Sequence, residues 1–389
     1  MTLLDPKVQQ FIDAHVGANL TALALRKNPF PEVDWTSILN QIAAKTKAKD
    51  KLPTWFATPG IVYPSKISVE QTSSEKTARY KSGLVTGQSL IDMTGGFGVD
   101  DFYFAKRIDK VVHCEMNTEL SDIVKQNLGR LGVANIDCIC GDSAQILKVL
   151  GRPFDWLYID PSRRSESKGK VFMLADCLPN VPDLLDFYFA YAPNILIKTA
   201  PLLDLSAGLR ELKNVRGIHV VALEGEVKEL LWLLEKGYDG PIGIETVNLV
   251  KDGAERFGFE WGQAVTPSYG SVQKYLYEPN AAVLKSGGFD QVSAQLGLEK
   301  LHPHSHLYTS DQRIGFPGRS FEVKQVIDYG KKEMKQHLEA KKANITVRNF
   351  PETVENIRKK HKIKDGGTDY CFFTTDLNNR KIVLICAKI

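Results

Sequence analysis

The sequence predicts a doubly wound α/β domain with a helical lead and a small α+β region at its C-terminal end, and three observations carry this. Seven apolar runs without polar alternation, at 90–93, 111–115, 136–140, 156–160, 195–199, 218–223 and 242–250, have the pattern of strands buried on both faces. Helical patterns at 102–107, 119–131, 143–150 and 184–190 separate the first five runs, which requires crossover connections and so parallel strands. The 389 residues are enough for two or three domains, and 43% hydrophobic and 25% charged residues are ordinary for packed protein, which excludes disorder and a disulfide-stapled miniprotein.

Ahead of the sheet, Val8, Phe11 and Ile12, then Leu20, Leu23 and Ala24, recur at spacings of three and four. After the break at Asn28-Pro29-Phe30-Pro31, Trp35, Ile38, Leu39 and Ile42 form a second stripe, so short helices are expected up to about residue 58. The segment 71–81 is rich in side-chain oxygen and charge and is expected to lie outside the core. Its Lys76, Arg79 and Lys81 could fold over a ligand of the sheet, which makes Lys81 a candidate substrate contact.

Beyond residue 262 the pattern turns loop-rich, with His302, His304 and His306 alternating like strand neighbours but without Cys or acidic partners at metal-ligand spacing. The last segment reads as strand 321–327, helix 331–342, strand 345–349, helix 351–361 and a hairpin of 370–374 with 381–387, closed by the turn formers Asp376 to Asn379. Pro351 suits the first turn of the second helix. The expected divisions are therefore 1–80, 81–262, 263–315 and 316–389.

Charge is unevenly spread. The chain carries 50 Lys or Arg and 46 Asp or Glu, a net +4; residues 316–389 hold 16 and 9 of them, a net +7, which leaves −3 for the rest. Lys331, Lys332, Lys335, Lys341 and Lys342, with Arg358, Lys359, Lys360, Lys362 and Lys364, place that charge on two predicted helices, and such clusters attract phosphate. The six cysteines include no CxxC pair, and apolar runs such as Cys138-Ile139-Cys140 suggest reduced core thiols. The first residues lack the order of basic, apolar and small residues of an export signal, and no run of 18 apolar residues occurs, so a cytoplasmic protein without a membrane span is expected.

The motif that carries chemistry is Leu90-Ile91-Asp92-Met93-Thr94-Gly95-Gly96-Phe97-Gly98, a strand running through a glycine-rich turn into a helix, where backbone N–H groups can approach an anionic ligand. Successive strands end at Asp92, Glu115, Asp142 and Asp160, and in an open parallel sheet those carboxyl ends line one crevice. Helix capping explains any one of these acids; it does not readily explain four.

Over about residues 84–249 the sequence resembles the class I S-adenosylmethionine (SAM) dependent methyltransferases, through the glycine turn, Glu115, Asp142 and Asp160-Pro161 in order. The resemblance implies a Rossmann-like sheet with SAM as cofactor. The glycine turn, with Asp92, Thr94, Gly95, Gly96 and Gly98, would hold its methionine end, Glu115 its ribose and Asp142 its adenine, with Met116 and Ser143 also among the cofactor-binding residues. A nicotinamide dehydrogenase would instead show GxGxxG and no later Asp-Pro.

Asp160-Pro161-Ser162-Arg163-Arg164 stands where amino methyltransferases carry Asp-Pro-Pro-aromatic, so Asp160 and Pro161 become the catalytic candidates, and Arg163 and Arg164 join Lys81 as substrate contacts. Tyr275 to Leu284 and Val347 to Pro351 resemble methyltransferases with a small ferredoxin-like insert, here 263–315, and a THUMP-like terminal domain, here 316–389. The implied partner is structured RNA, tRNA or rRNA, methylated on a base or exocyclic amine. A small-molecule or protein methyltransferase, and a non-catalytic RNA-binding protein that keeps the fold, stand as alternatives.

Overall fold

The computed structural model describes residues 2–64, 66–163 and 173–389, which fall into two compact units. Unit 1 comprises 1–216 and 230–240, and unit 2 comprises 217–229 and 241–389.

Unit 1 opens with helices α1 (Pro6–Ala14), α2 (Leu20–Ala24), α3 (Trp35–Lys51), α4 (Pro53–Ala57), α5 (Lys66–Gln71) and α6 (Glu75–Ser82). Asp5, Asn19, Asp34 and Ser74 cap α1, α2, α3 and α6 through side-chain oxygens, which is why each helix starts where it does. Then follow β1 (Ser89–Asp92), α7 (Val99–Phe104), β2 (Lys110–Glu115), α8 (Thr118–Arg130), β3 (Ile136–Cys140), α9 (Ser143–Leu150) and β4 (Trp156–Ile159). The short pair β5 (Ser162–Arg163) and β6 (Cys177–Leu178), α10 (Val181–Phe189), β7 (Asn194–Thr199), α11 (Leu205–Glu211), β8 (Val215–Leu223) and β9 (Glu226–Glu235) complete this part of the chain.

Within unit 1 the strand order is β3-β2-β1-β4-β7-β9, with the first five parallel and residues 230–235 of β9 antiparallel to β7. The order reverses between β1 and β4, the switch point at which an open α/β sheet leaves a crevice. The sequence reading omits β9, because Glu224 and Gly225 take positive φ and turn the chain tightly between two apolar runs. β3 is an edge strand, so Cys140 is exposed and Cys138 half-buried rather than core, while all six thiols are free.

The helical lead belongs to this unit's core. Ala44, Ala48, Leu52 and Trp55 pack with Phe97, Phe102, Val124 and Leu128. The polar segment 71–81 departs from expectation: Ser73, Glu75, Thr77 and Lys81 are buried. Burial is tolerated because their polar atoms are paired. Glu75 accepts from Thr54 N (2.6 Å), Thr54 Oγ1 (2.7 Å) and Tyr103 OH (2.6 Å), so a carboxylate in the core ties α4, α6 and α7 together.

Unit 2 begins with residues 217–223 of β8, which run parallel to β10 (Gly243–Val250), itself antiparallel to β11 (Gly253–Glu260). After β12 (Ser268–Tyr269) come β13 (Tyr275–Pro279), α12 (Ala281–Ser286), α13 (Phe289–Leu296), β14 (Glu299–Lys300) and β15 (Tyr308–Ser310). The remainder is β16 (Gly318–Asp328), α14 (Lys331–His337), β17 (Asn344–Val347), α15 (Val354–His361), β18 (Asp369–Thr375) and β19 (Lys381–Lys388). These form an eight-stranded sheet in the order β12-β14-β15-β13-β16-β19-β18-β17. Since β13 pairs with β16, segments 263–315 and 316–389 share one sheet and one core, in which Leu276 and Leu301 pack with Phe321, Phe372 and Leu384. Glu278, buried between them, receives Arg319 Nε (2.8 Å) and Arg348 Nη2 (2.8 Å).

The expected loop-rich stretch therefore contains two helices and four sheet strands. Residues 302–306 form a turn instead of a strand, with His306 at φ 54° and its ring stacked 3.5 Å from Phe289. Thr353 caps α15, so Pro351 precedes the helix; α14 ends at His337, which leaves Lys341 and Lys342 outside it.

Close packing in unit 1 yields a test. A methyl group on Gly208 of α11 would lie 2.3 Å from the ring of Trp232, which is fully buried and donates to Thr199 Oγ1. Gly208→Ala is expected to cost about 1–3 kcal/mol by overpacking, read as a lower urea midpoint at unchanged m-value.

Candidate active site

The glycine turn between β1 and α7 is held from both sides. Met93 N donates to Tyr158 O and Gly95 N to Cys114 O, both at 2.9 Å, so β4 and β2 fix its path. Asp92 lies buried at the strand end and accepts from Thr94 N (2.8 Å) and Thr94 Oγ1 (3.1 Å). Burial, then the neighbouring Asp101, push the Asp92 carboxyl well above the usual carboxylate range, and burial does the same to Asp101, with Asp100 adding to it. Among the described residues Asp101 Oδ1 is buried without a hydrogen-bond partner, and two neighbouring buried carboxyls are costly to ionise together. His113 Nδ1 meets Asp101 Oδ2 at 2.6 Å, and burial lowers the imidazole pKa.

His113 also explains one glycine. A Cβ on Gly95 would fall 2.2 Å from its ring, and one on Gly98, at φ 73°, would fall 2.9 Å from Val124. At Gly96, φ 57°, the same atom would meet only Thr94 O at 3.6 Å. Two of the three glycines thus answer to the protein's own packing, and Gly96 faces open space.

Glu115 closes β2, half-buried, and each of its oxygens takes one backbone N–H: Gly96 N at 3.0 Å and Asn117 N at 2.7 Å. The remaining lone pairs suit vicinal hydroxyls. Beside it Met116 is 73% exposed, an apolar surface next to a carboxylate. Asp142 is the N-cap of α9, accepting from Gln145 N at 2.8 Å, and Ser143 is that helix's first residue. These acceptors and surfaces fit a nucleoside with a ribose, the moiety the cofactor would present.

Asp160 follows β4. Its N–H donates to Thr94 Oγ1 (2.7 Å), and its carboxylate is ion-paired with Lys198 of β7. Pro161 is half-buried; Ser162 and Arg163 then pair through their backbones with Leu178 and Cys177. Arg164 lies outside the described residues.

Lys81 corrects its expectation as a substrate contact. It is fully buried, with Nζ 3.1 Å from Asp100 Oδ1 and donating to Ser73 Oγ (2.8 Å). Asp100 Oδ2 accepts from Tyr158 OH (2.8 Å) and Ser73 Oγ (3.0 Å). Burial alone would raise the Asp100 pKa, but Lys81, Lys198 and the Tyr158 hydroxyl outweigh it and hold the carboxyl below its ordinary value.

Sequence reasoning missed Lys198, His113, Asp100 and Tyr158. The signal for Lys198 was a lone charge in Ile195-Leu196-Ile197-Lys198-Thr199, a strand otherwise apolar up to its carboxyl end.

The glycine turn gives a double-mutant test. Gly95→Ala is expected to destabilise the protein by about 1–3 kcal/mol, and most of that cost should vanish in a His113→Ala background, measured as non-additive shifts in denaturation midpoints.

Residues 275–317 match a family model described as a ferredoxin-like domain, and residues 318–388 one described as THUMP domain-like. No curated protein matches the chain. Among solved structures, a "putative methyltransferase" from Porphyromonas gingivalis W83 is 30% identical, covers 100% of both chains and superimposes with a TM-score of 0.86. Partial matches include an rRNA methylase from Streptococcus thermophilus, at 14% identity, 41% and 95% coverage of this chain and that one, and TM-score 0.30. M. capricolum TrmK in complex with S-adenosyl-homocysteine matches at 13% identity, 42% and 68% coverage, and TM-score 0.32. On the full-length match the chain belongs to that methyltransferase family, with a class I SAM-dependent methyltransferase fold followed by ferredoxin-like and THUMP-like domains.

Proposed function

We propose that the protein is a SAM-dependent methyltransferase acting on structured RNA, tRNA or rRNA. The observation that carries the reading is the convergence, at the switch point of the unit 1 sheet, of the glycine turn, Glu115 with its exposed neighbour Met116, and Asp160. When bound, SAM supplies a methyl group already activated by its sulfonium, so the protein's part is to hold and orient. Glu115 would hold the ribose hydroxyls, Met116 would cover the adenine, the turn around Gly96 would cradle the methionine end, and Asp160 would face the acceptor. An Asp-Pro pair taken alone suits a base nitrogen or exocyclic amine, whose lone pair a carboxylate can aim; the ion pair to Lys198 bears against that choice.

RNA as substrate draws support from the THUMP-like region. A cavity of about 390 Å³ there is lined by Tyr329, Lys331, Met334, Lys335, Lys360 and His361. Part of the charge counted in the sequence is consumed internally, since Arg358 pairs with Asp365 (2.5 Å) and Lys360 with Glu352 (2.9 Å). Lys331 and Lys335, four residues apart on α14, share one helix face at that cavity.

Two measurements test the reading. Calorimetric titration should give SAM binding that weakens more than tenfold in Glu115→Ala, from loss of charge-assisted hydrogen bonds worth about 1.5–3 kcal/mol each; equal affinity in the variant removes the cofactor site. RNA affinity should fall with salt, and replacing Lys331, Lys335 and Lys360 by Gln should lower the slope of log K against log salt by about 2–3. A slope that does not change favours a small-molecule or protein substrate.

A further inference from the structure

We infer that Lys198 and Asp160 act as a pair that selects a hydroxyl acceptor, in RNA the 2′-hydroxyl of a ribose, over an exocyclic amine; the inference rests on the RNA reading above.

The argument is electrostatic. A neutral amine that attacks a methyl carbon gains a positive charge as the bond forms. A carboxylate favours that change through its charge, and a fixed cation a few ångströms away opposes it. A hydroxyl behaves in the opposite way: its oxygen must shed a proton and passes through alkoxide character, which a fixed cation stabilises and a nearby carboxylate assists by taking the proton.

At the end of β4 a fixed cation already offsets the carboxylate's charge on its Oδ2 side. Asp160 Oδ2 is ion-paired with Lys198 Nζ, and the Asp160 backbone is fixed by its bond to Thr94 Oγ1 at 2.7 Å. The side chain of Lys198 is 13% exposed and that of Asp160 36%, so the cation sits beneath and the carboxylate faces outward. Lys198 projects from a strand whose neighbours Ile197 and Thr199 are buried, which limits its reach to this place. Lys198 also acts on Asp100, whose oxygens are already engaged by Lys81, Ser73 and Tyr158. The loop agrees, because an extruded base needs a stacking partner and the residue after Asp160-Pro161 is an exposed serine, whereas a ribose needs no ring beneath it.

The step balances as follows. The O2′ lone pair forms the O–CH₃ bond while the C–S bond breaks, its electron pair remaining on sulfur and cancelling the sulfonium charge. The hydroxyl proton passes to the outward oxygen of Asp160 and from there to solvent. Lys198 keeps its protons throughout and stabilises the oxygen as it loses its own. Asp160 is the catalytic residue in this scheme, and Lys198 acts with it on the acceptor oxygen.

The test uses the full-length protein, methyl-labelled SAM and total RNA from cells lacking the protein, followed by alkaline hydrolysis. Methylation at O2′ blocks cleavage at the adjacent phosphate, so the label is expected in alkali-resistant dinucleotides. Label in mononucleotides overturns hydroxyl selection and leaves the RNA reading standing; no label in any RNA overturns both. In parallel, Lys198→Met should lower kcat roughly 100-fold, with Lys198→Arg recovering part of it. SAM affinity by calorimetry should match the parent protein in both variants, and Lys198→Arg, which keeps a cation beside Asp100 and Asp160, should also keep the melting temperature. Loss of SAM affinity together with kcat in Lys198→Met, or no recovery of kcat in a Lys198→Arg variant that keeps the parent melting temperature, makes Lys198 a structural residue and overturns its role.

Discussion

The carboxylate of Asp100 is the interaction on which the catalytic end of unit 1 depends. Lys81 can lie with no solvent exposure only because Asp100 stands 3.1 Å away, and Asp100 can stay ionised in the core only because Lys81, Lys198 and Tyr158 surround it. Removing one partner of a buried pair typically costs about 3–5 kcal/mol, since the other is left charged without compensation. The pair fastens α6 to the start of α7, while Tyr158 and Lys198 extend the network to β4 and β7. The polar lead before the first strand is thereby a built part of the site's floor.

The glycine turn carries a related lesson. Glycine at a strand-to-helix connection is usually explained by the ligand, yet His113 fills the space that any side chain on Gly95 would need, and Val124 does so at Gly98. His113 is in turn buried against Asp101, and burial holds both Asp101 and Asp92 well above the usual carboxylate range. The ligand-facing turn is shaped by a titratable cluster directly behind it. Gly96, with open space at its Cβ position, is the member of the motif whose lack of a side chain serves the crevice.

Apolar continuity made the parallel strands legible: the runs around Leu90, Val111, Ile136, Trp156 and Ile195 all became strands, because a strand buried on both faces leaves no room for polar alternation. Helices between them were equally plain. What escaped were elements defined by partners. β9 was lost beside a two-residue turn, α12 and α13 lay in a segment of mixed aromatics and prolines, and residues 302–306 alternated without being a strand. In each case local pattern was weak and long-range packing, such as Tyr277 and Tyr308 against Val283 and Val292, supplied the order.

The sequence by itself determined the α/β class, the order of the strands along the chain and the positions of Asp92, Glu115, Asp142 and Asp160 near strand ends, since these follow from hydrophobic period and turn chemistry. Only the tertiary structure decided what those acids do. Asp142 caps a helix, Asp92 holds the turn through Thr94, Glu115 bridges two backbone amides, and Asp160 is tied to a lysine 38 residues further on. A side chain's charge state and its free lone pairs depend on atoms that the fold brings within a few ångströms, and no spacing along the chain encodes that distance.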